Sequence, residues 1–200
     1  MANVPQALVT AVGPSVDPAV GDWWIRDLTD SYSWLKGGNI IWVIGSEAGS
    51  AVAYGDSSGR YIRLSGPDGL PYISRLIASR IGDDPWQSLG VDGFARLLTE
   101  LARDPRLRVA DSEFLRKQRP FLKTWLLGTE TDPEALASLC VRPELRQRPG
   151  GVWELRFNVI DYDGGAEQWL VTGNRGPFGI TQINVKELSP KGTFSYPEEL

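Results

Sequence analysis

Residues 152–188 read VWELRFNVIDYDGGAEQWLVTGNRGPFGITQINVKEL, and this stretch decides the fold class. Trp153, Leu155, Phe157 and Val159 alternate with Glu154, Arg156 and Asn158. Successive strand residues point to opposite faces, so a period of two predicts a strand with one buried and one wet side. Asp163-Gly164-Gly165 reads as a hairpin turn, because Asp and Gly adopt the backbone conformations that tight turns demand. Residues 167–172 return as a second strand with Trp169 and Val171 inward, and GNRGPFG (173–179) is a longer loop. Residues 180–188 give a third strand, in which Ile183 and Val185 share a face and Ile180 is out of phase. One extra residue near Thr181, a β-bulge, restores the phase.

Working back from this unit, VRPELRQRPGG (141–151) reads as a connector and marks the one candidate subdomain boundary. Before it the period changes to that of helices. Residues 131–140 and 111–127 read as helices, the second split by Pro120, which has no N–H to donate and clashes with the preceding turn. Residues 106–110 fit a short strand. Phe94, Leu97, Leu98 and Leu101 lie on one face of a helix over 93–103, and 71–80 forms another. Three β-rich runs, 39–44, 51–54 and 60–64, are separated by GSEAGS and GDSSG and predict an antiparallel meander. Asp17-Pro18 is a good helix start. With Val20, Trp24, Leu28 and Leu35 near helical spacing, it predicts a helix over 18–36 that ends at Gly37-Gly38. Residues 1–16 lack periodicity, and the tail offers Phe194 and Tyr196 to pack on the sheet. The expected fold is α+β in a single compact domain over 1–200. An N-terminal meander and a C-terminal three-stranded antiparallel unit carry helices on one face.

The 200 residues are 42% hydrophobic and 23% charged, the composition of a globular chain. There is no histidine, which excludes a Ser-His-Asp triad, a Cys-His dyad and a His-ligated metal. One cysteine, Cys140, excludes an intrachain disulfide and a four-cysteine zinc site. It follows EALASL and reads as a small buried hydrophobe. No run of about 18 apolar residues occurs, and the first residues lack a basic leader, so the expected location is the cytoplasm. The net charge of −4 argues against a dedicated nucleic-acid binder. Charge is uneven, though. Residues 103–148 hold ten Lys or Arg against seven Asp or Glu, so the basic 103–123 region is the one candidate surface for a polyanion.

Motifs with catalytic outlines sit in the wrong context. Gly55–Gly59 fits G-x-S-x-G, but it lies between two strands and no histidine exists to take the serine proton. Ser33-Trp34-Leu35-Lys36 fits S-x-x-K without its companion motifs, and Lys36 at a helix end favours the carbonyl dipole. Gly45–Gly49 leads into a strand rather than a phosphate-binding helix. Asp161, Asp163 and Glu167 only faintly outline a calcium loop.

The chain is rich in tryptophan, with eight residues, and core packing is the default for them. Of the adjacent pair Trp23 and Trp24, one is expected to be exposed. Trp23, Arg26, Arg175 and Phe178 are the candidate interface residues, because Trp and Arg anchor protein interfaces and GNRGPFG is the best exposed recognition loop. The sequence therefore favours a non-catalytic protein–protein interaction or accessory protein. Its partner is another protein chain, without metal, cofactor or membrane. The alternative is an aromatic-lined α+β pocket that binds a small apolar ligand, or transforms it with an Asp or Glu and no histidine. An enclosed cavity holding a buried carboxylate favours the alternative. A flat patch with Trp23 or Phe178 favours the first reading.

Overall fold

The structure is a computed structural model that describes residues 5–13, 23–45, 49–111, 113, 137, 138, 140–160 and 165–189. The expected helices over 111–127 and 131–140 fall almost wholly outside these residues. The expected turn at 163–165 and the tail are largely or wholly outside them as well.

The fold is α+β, with two antiparallel sheets. The first has the order β1 (Trp23–Asp27), β2 (Gly38–Gly45), β3 (Ser50–Asp56), β4 (Tyr61–Arg63). The second runs β5 (Arg108–Ala110), β7 (Val152–Ile160), β8 (Ala166–Asn174), β9 (Gly179–Ser189), with β6 (Glu144–Arg148) also paired to β7. The helices are α1 (Gln6–Val12), α2 (Leu70–Arg80) and α3 (Pro85–Ala102), the last kinked at Gly90. The two β regions form separate sheets, and the expected placement of helices on one face is corrected, because α1 covers the face of the first sheet opposite α2 and α3.

One large core explains the layering. Ile40, Trp42 and Val52 of the first sheet meet Ile73 and Ile77 of α2, and Phe94 and Leu98 of α3. They share this core with Trp153, Phe157 and Trp169 of the second sheet. Helices α2 and α3 thus lie between the sheets. The far side of the second sheet is polar and carries the Arg148–Glu154 and Arg156–Glu144 pairs. The far side of the first is apolar. Ile41, Val43, Ala51 and Ala53 there pack on Leu8 and Val12 of α1.

The predicted C-terminal strands are present in their predicted phase. Between β8 and β9, Gly173 pairs with Ile180 and Thr172 with Gln182, so Thr181 is the extra residue of a bulge. Helices at 71–80 and 93–103 and the three-stranded meander also match.

Three further expectations are corrected. The expected helix over 18–36 is not formed in its described part, 23–36, where only a 3-10 turn at Thr29–Ser31 is helical, and residues 18–22 lie outside the described residues. Residues 23–27 form β1, paired antiparallel to β2 with Trp24 opposite Ile44 and Arg26 opposite Trp42. The run Trp-Trp-Ile is β-prone, and pairing with β2 satisfies its backbone, which outweighs the helical spacing of Leu28 and Leu35. Residues 6–12 are not irregular. Leu8 and Val12, one helical turn apart, bury against the first sheet. Residues 141–151 are not a connector. Glu144–Arg148 pairs with β7 through a turn in which Gly150 and Gly151 have φ of +84° and +77°, so β6 and β7 are one hairpin.

Cys140 is 3% exposed. Burial, and then the charge of Asp111, push its thiol pKa up to about 11. The thiolate is the reactive form. The native protein is therefore expected to resist an aromatic disulfide reagent near pH ~8 and to react at its unfolding rate in urea. Rapid labelling of the native chain, followed by absorbance, would contradict this burial.

Candidate functional site

A cleft of about 750 Å³ opens beside β1. Its wall on the first sheet follows from the pleat. Trp24, Arg26 and Leu28 alternate with Ile25 and Asp27, which places them on the face that carries Trp42 and Ile44. The chain then makes a 3-10 turn at Thr29–Ser31, which carries Tyr32, Ser33 and Trp34 around one end. Asp27 holds this turn by accepting the Thr29 N–H at 2.8 Å. The opposite wall is α3, through Leu89, Gly93, Arg96, Leu97 and Glu100. Pro105, Arg106 and Arg108, which lead into β5, complete it.

The aromatic lining is Trp24, Tyr32, Trp34 and Trp42. Trp34 meets Tyr32 edge-on at 5.7 Å between ring centroids. Trp42 is buried and its indole Nε1 has no hydrogen-bond partner among the described residues. The Arg106 guanidinium lies over the Trp42 ring, 5.6 Å from its centroid, which suits a cation and a π face.

Four arginines and one carboxylate line the same space. Glu100 is 9% exposed. It accepts the Tyr32 hydroxyl at 2.8 Å on Oε2 and Arg96 Nε at 2.7 Å on Oε1. Asp104, behind the wall, accepts Arg106 through Nε at 3.0 Å and a terminal nitrogen at 2.8 Å, and also accepts the Ser50 hydroxyl. Burial opposes the charge on Asp104, but these bonds from Arg106 and Ser50 outweigh it and hold the carboxyl below its ordinary value. Arg108 donates to the Pro105 carbonyl at 2.8 Å.

Tyr32 shows the reverse effect. Burial, then the adjacent Glu100 charge and their hydrogen bond, push its pKa well above the ordinary tyrosine value. The folded state keeps this proton where the unfolded state loses it. The contribution is therefore complete below pH ~10 and is lost as the pH rises beyond that. Stability is expected to fall on going above pH ~10, and Tyr32→Phe should flatten that fall. At neutral pH the variant should cost about 1–3 kcal/mol, because it leaves a buried carboxylate one donor short. Urea titrations across this range measure both effects, and an unchanged alkaline slope in the variant would remove Tyr32 from the account.

Only part of the predicted site is here. Arg26 lines the cleft. Trp23 faces the other way and packs on the α1 cluster, so Trp24 is the exposed member of the pair, at 56%. Arg175 and Phe178 are not in the cleft lining. Phe178 is 5% exposed and stacks on Trp153 at 5.6 Å, which corrects the expectation of an exposed aromatic in that loop. The loop is a structural tie instead. Arg175 pairs with Asp84 at 2.6 Å, and the Phe178 N–H donates to Asp83 at 3.1 Å. Sequence reasoning does not single out Tyr32, Arg96 or Glu100, and it reaches Arg108 only as part of the basic 103–123 region; their shared location arises only from the packing of separate segments.

Two of the other motifs resolve as structure, whereas residues 46–48 of the Gly45–Gly49 motif and Asp161 and Asp163 lie outside the described residues. Asp56 accepts the N–H groups of Ser58 and Arg60, and Gly59 has φ +79°, so GDSSG is a hairpin turn. Ser33 and Lys36 share no helix. Glu167 accepts Arg103 and the Trp169 indole N–H. Within the basic region, Arg103 and Arg106 are paired to carboxylates. Among the described residues no cluster of potential metal ligands forms, and no helix is long and apolar enough to cross a membrane. No family model, curated protein or solved structure shows a significant match to the chain.

Proposed function

We propose that this chain is a non-catalytic binding protein whose cleft beside β1 takes a small ligand with a flat apolar body. One observation carries the reading: Trp24, Trp34, Trp42 and Tyr32 converge with arginines on a single space of about 750 Å³. That volume falls among ordinary small-molecule sites, which pair apolar walls with a few fixed polar groups. The polar groups here are fixed by their own partners, as with Arg106 on Asp104 and Arg96 on Glu100. A preformed site of this kind loses little entropy on binding. Both oxygens of Glu100 are engaged, so its geometry suits positioning better than proton transfer.

A second reading, docking of another protein on β1, has a specific observation in its favour. β1 is the last strand of its sheet, and it exposes Ile25 at 40% as well as Trp24. Trp anchors of this kind are typical of interfaces. We also propose a cytoplasmic location, which a lone buried thiol suits.

Native mass spectrometry on gently purified protein tests the choice. The expected result is the chain carrying a noncovalent small molecule, lost in Trp34→Ala. A stoichiometric second protein with no small-molecule mass would overturn the ligand reading and support docking on β1.

A further inference from the structure

We infer that the ligand of this cleft is a planar aromatic anion, with its charged group between Arg26 and Arg108. The inference rests on the cleft being a binding site and goes further by naming the ligand's chemistry. Four arginines line the space, but they are not equivalent. Arg96 is neutralised by Glu100, and Arg106 by Asp104. Arg26 on β1 and Arg108 on β5 have no carboxylate partner among the described residues. Asp104 cannot serve them readily, because Arg106 and Ser50 already occupy its oxygens.

Among the described residues, the cleft therefore keeps two guanidinium charges with no carboxylate partner beside aromatic walls. Such a concave surface, with apolar walls and an excess of positive charge, focuses its potential on an incoming anion. A guanidinium is a planar fork of N–H donors that matches a carboxylate or phosphate edge. Arg108 is oriented for this by its bond to the Pro105 carbonyl. Arg26 is placed by the β1–β2 register directly across from Trp42. The flat part of the ligand follows from the walls. Trp24 and Trp34, with the small exposed part of Trp42, present ring surface. An anion carried on an aromatic ring satisfies the rings and the two arginines together.

Isothermal titration calorimetry with naphthoate, and with neutral naphthylmethanol as its uncharged match, tests this. Naphthoate is expected to bind at least about tenfold more tightly than the alcohol, the size of one charge-assisted hydrogen bond. Arg26→Gln and Arg108→Gln should each weaken naphthoate about tenfold. In each variant the preference for naphthoate over the alcohol should shrink by the same factor, and an unchanged thermal melt shows that the variants fold. The preference for naphthoate should shrink as salt rises. Equal binding of acid and alcohol would overturn the anion and leave the binding cleft standing. Binding of neither would overturn both. Tighter binding of an acidic, phenylalanine-containing tetrapeptide than of naphthoate would assign the arginines to a protein partner and overturn the small ligand.

Discussion

Trp153→Ala is expected to lower the unfolding free energy by about 3–5 kcal/mol, the range for deleting a large core aromatic. For a domain whose whole stability is about 5–15 kcal/mol, that is a large share. The reason lies in how many elements meet on this ring. Trp153 of β7 stacks on Phe178 at 5.6 Å and lies 5.7 Å from both Trp86 and Phe94 of α3. Its indole N–H donates to the Asn174 carbonyl at 3.0 Å. Across the strand pair, Gly173 leaves room for the ring, since a Cβ there would lie 2.6 Å from Trp153 Cε2. Truncation thus opens a cavity between α3 and the second sheet that neither side can collapse to fill, because each is pinned elsewhere. Urea denaturation gives the number. A loss under about 1 kcal/mol would mean that this cluster is not the centre of the core.

Gly69→Ala is expected to cost about 3 kcal/mol or more, at the upper end of overpacking penalties. The backbone of Gly69 is ordinary, with φ −79° and ψ −22°, so conformational freedom is not its role. Space is. A Cβ there would overlap the Leu64 carbonyl and lie 2.8 Å from Leu64 Cα. That backbone cannot retreat. The Leu64 N–H donates to the Val52 carbonyl at 2.7 Å, the Val52 N–H donates to the Ser65 hydroxyl at 3.1 Å, and Leu64 is itself buried. The start of α2 must therefore lift off the first sheet. Gly93→Ala in α3 is the control. Its nearest neighbour is Leu89 Cβ at 3.4 Å, an ordinary contact, and alanine should be neutral or stabilise the helix by up to about 1 kcal/mol. Equal stability of the two variants in thermal melts would contradict the steric argument.

The fold was legible where one physical signal dominated. The alternation of Trp153 to Val159 reflects a sheet with one wet face, and Ile180 out of phase with Ile183 marked the Thr181 bulge before any pairing was known. Leu97, Leu98 and Leu101 on one side likewise mark a helix with one buried face. β1 was illegible because five residues give too short a window, and Leu28 and Leu35 lie near helical spacing while belonging to no common helix. β6 was hidden because Glu144, Arg146 and Arg148 carry no apolar alternation. What holds them in the hairpin is the backbone ladder to β7 and Leu145 packed against the core, with the Arg148–Glu154 and Arg156–Glu144 pairs on the exposed face. The cleft was nearly invisible for a different reason. Its walls come from β1, β2, α3 and the approach to β5, and only folding brings Arg26 and Arg108 to the same space. The sequence singles out Arg26 only as the neighbour of an exposed Trp. Phe178 reads as exposed in the sequence because glycines around an aromatic signal a loop, yet its ring is driven into a core by Trp86, Phe94 and Trp153.

The central claim is that the cleft beside β1 is where this protein binds. The most direct test is the indole N–H spectrum of isotope-labelled protein, assigned by Trp→Phe variants and titrated with naphthoate. The signals of Trp24, Trp34 and Trp42 are predicted to move together and saturate, while those of Trp153 and Trp169, buried in the second sheet, stay in place. A titration that leaves the three cleft signals unmoved would contradict the account.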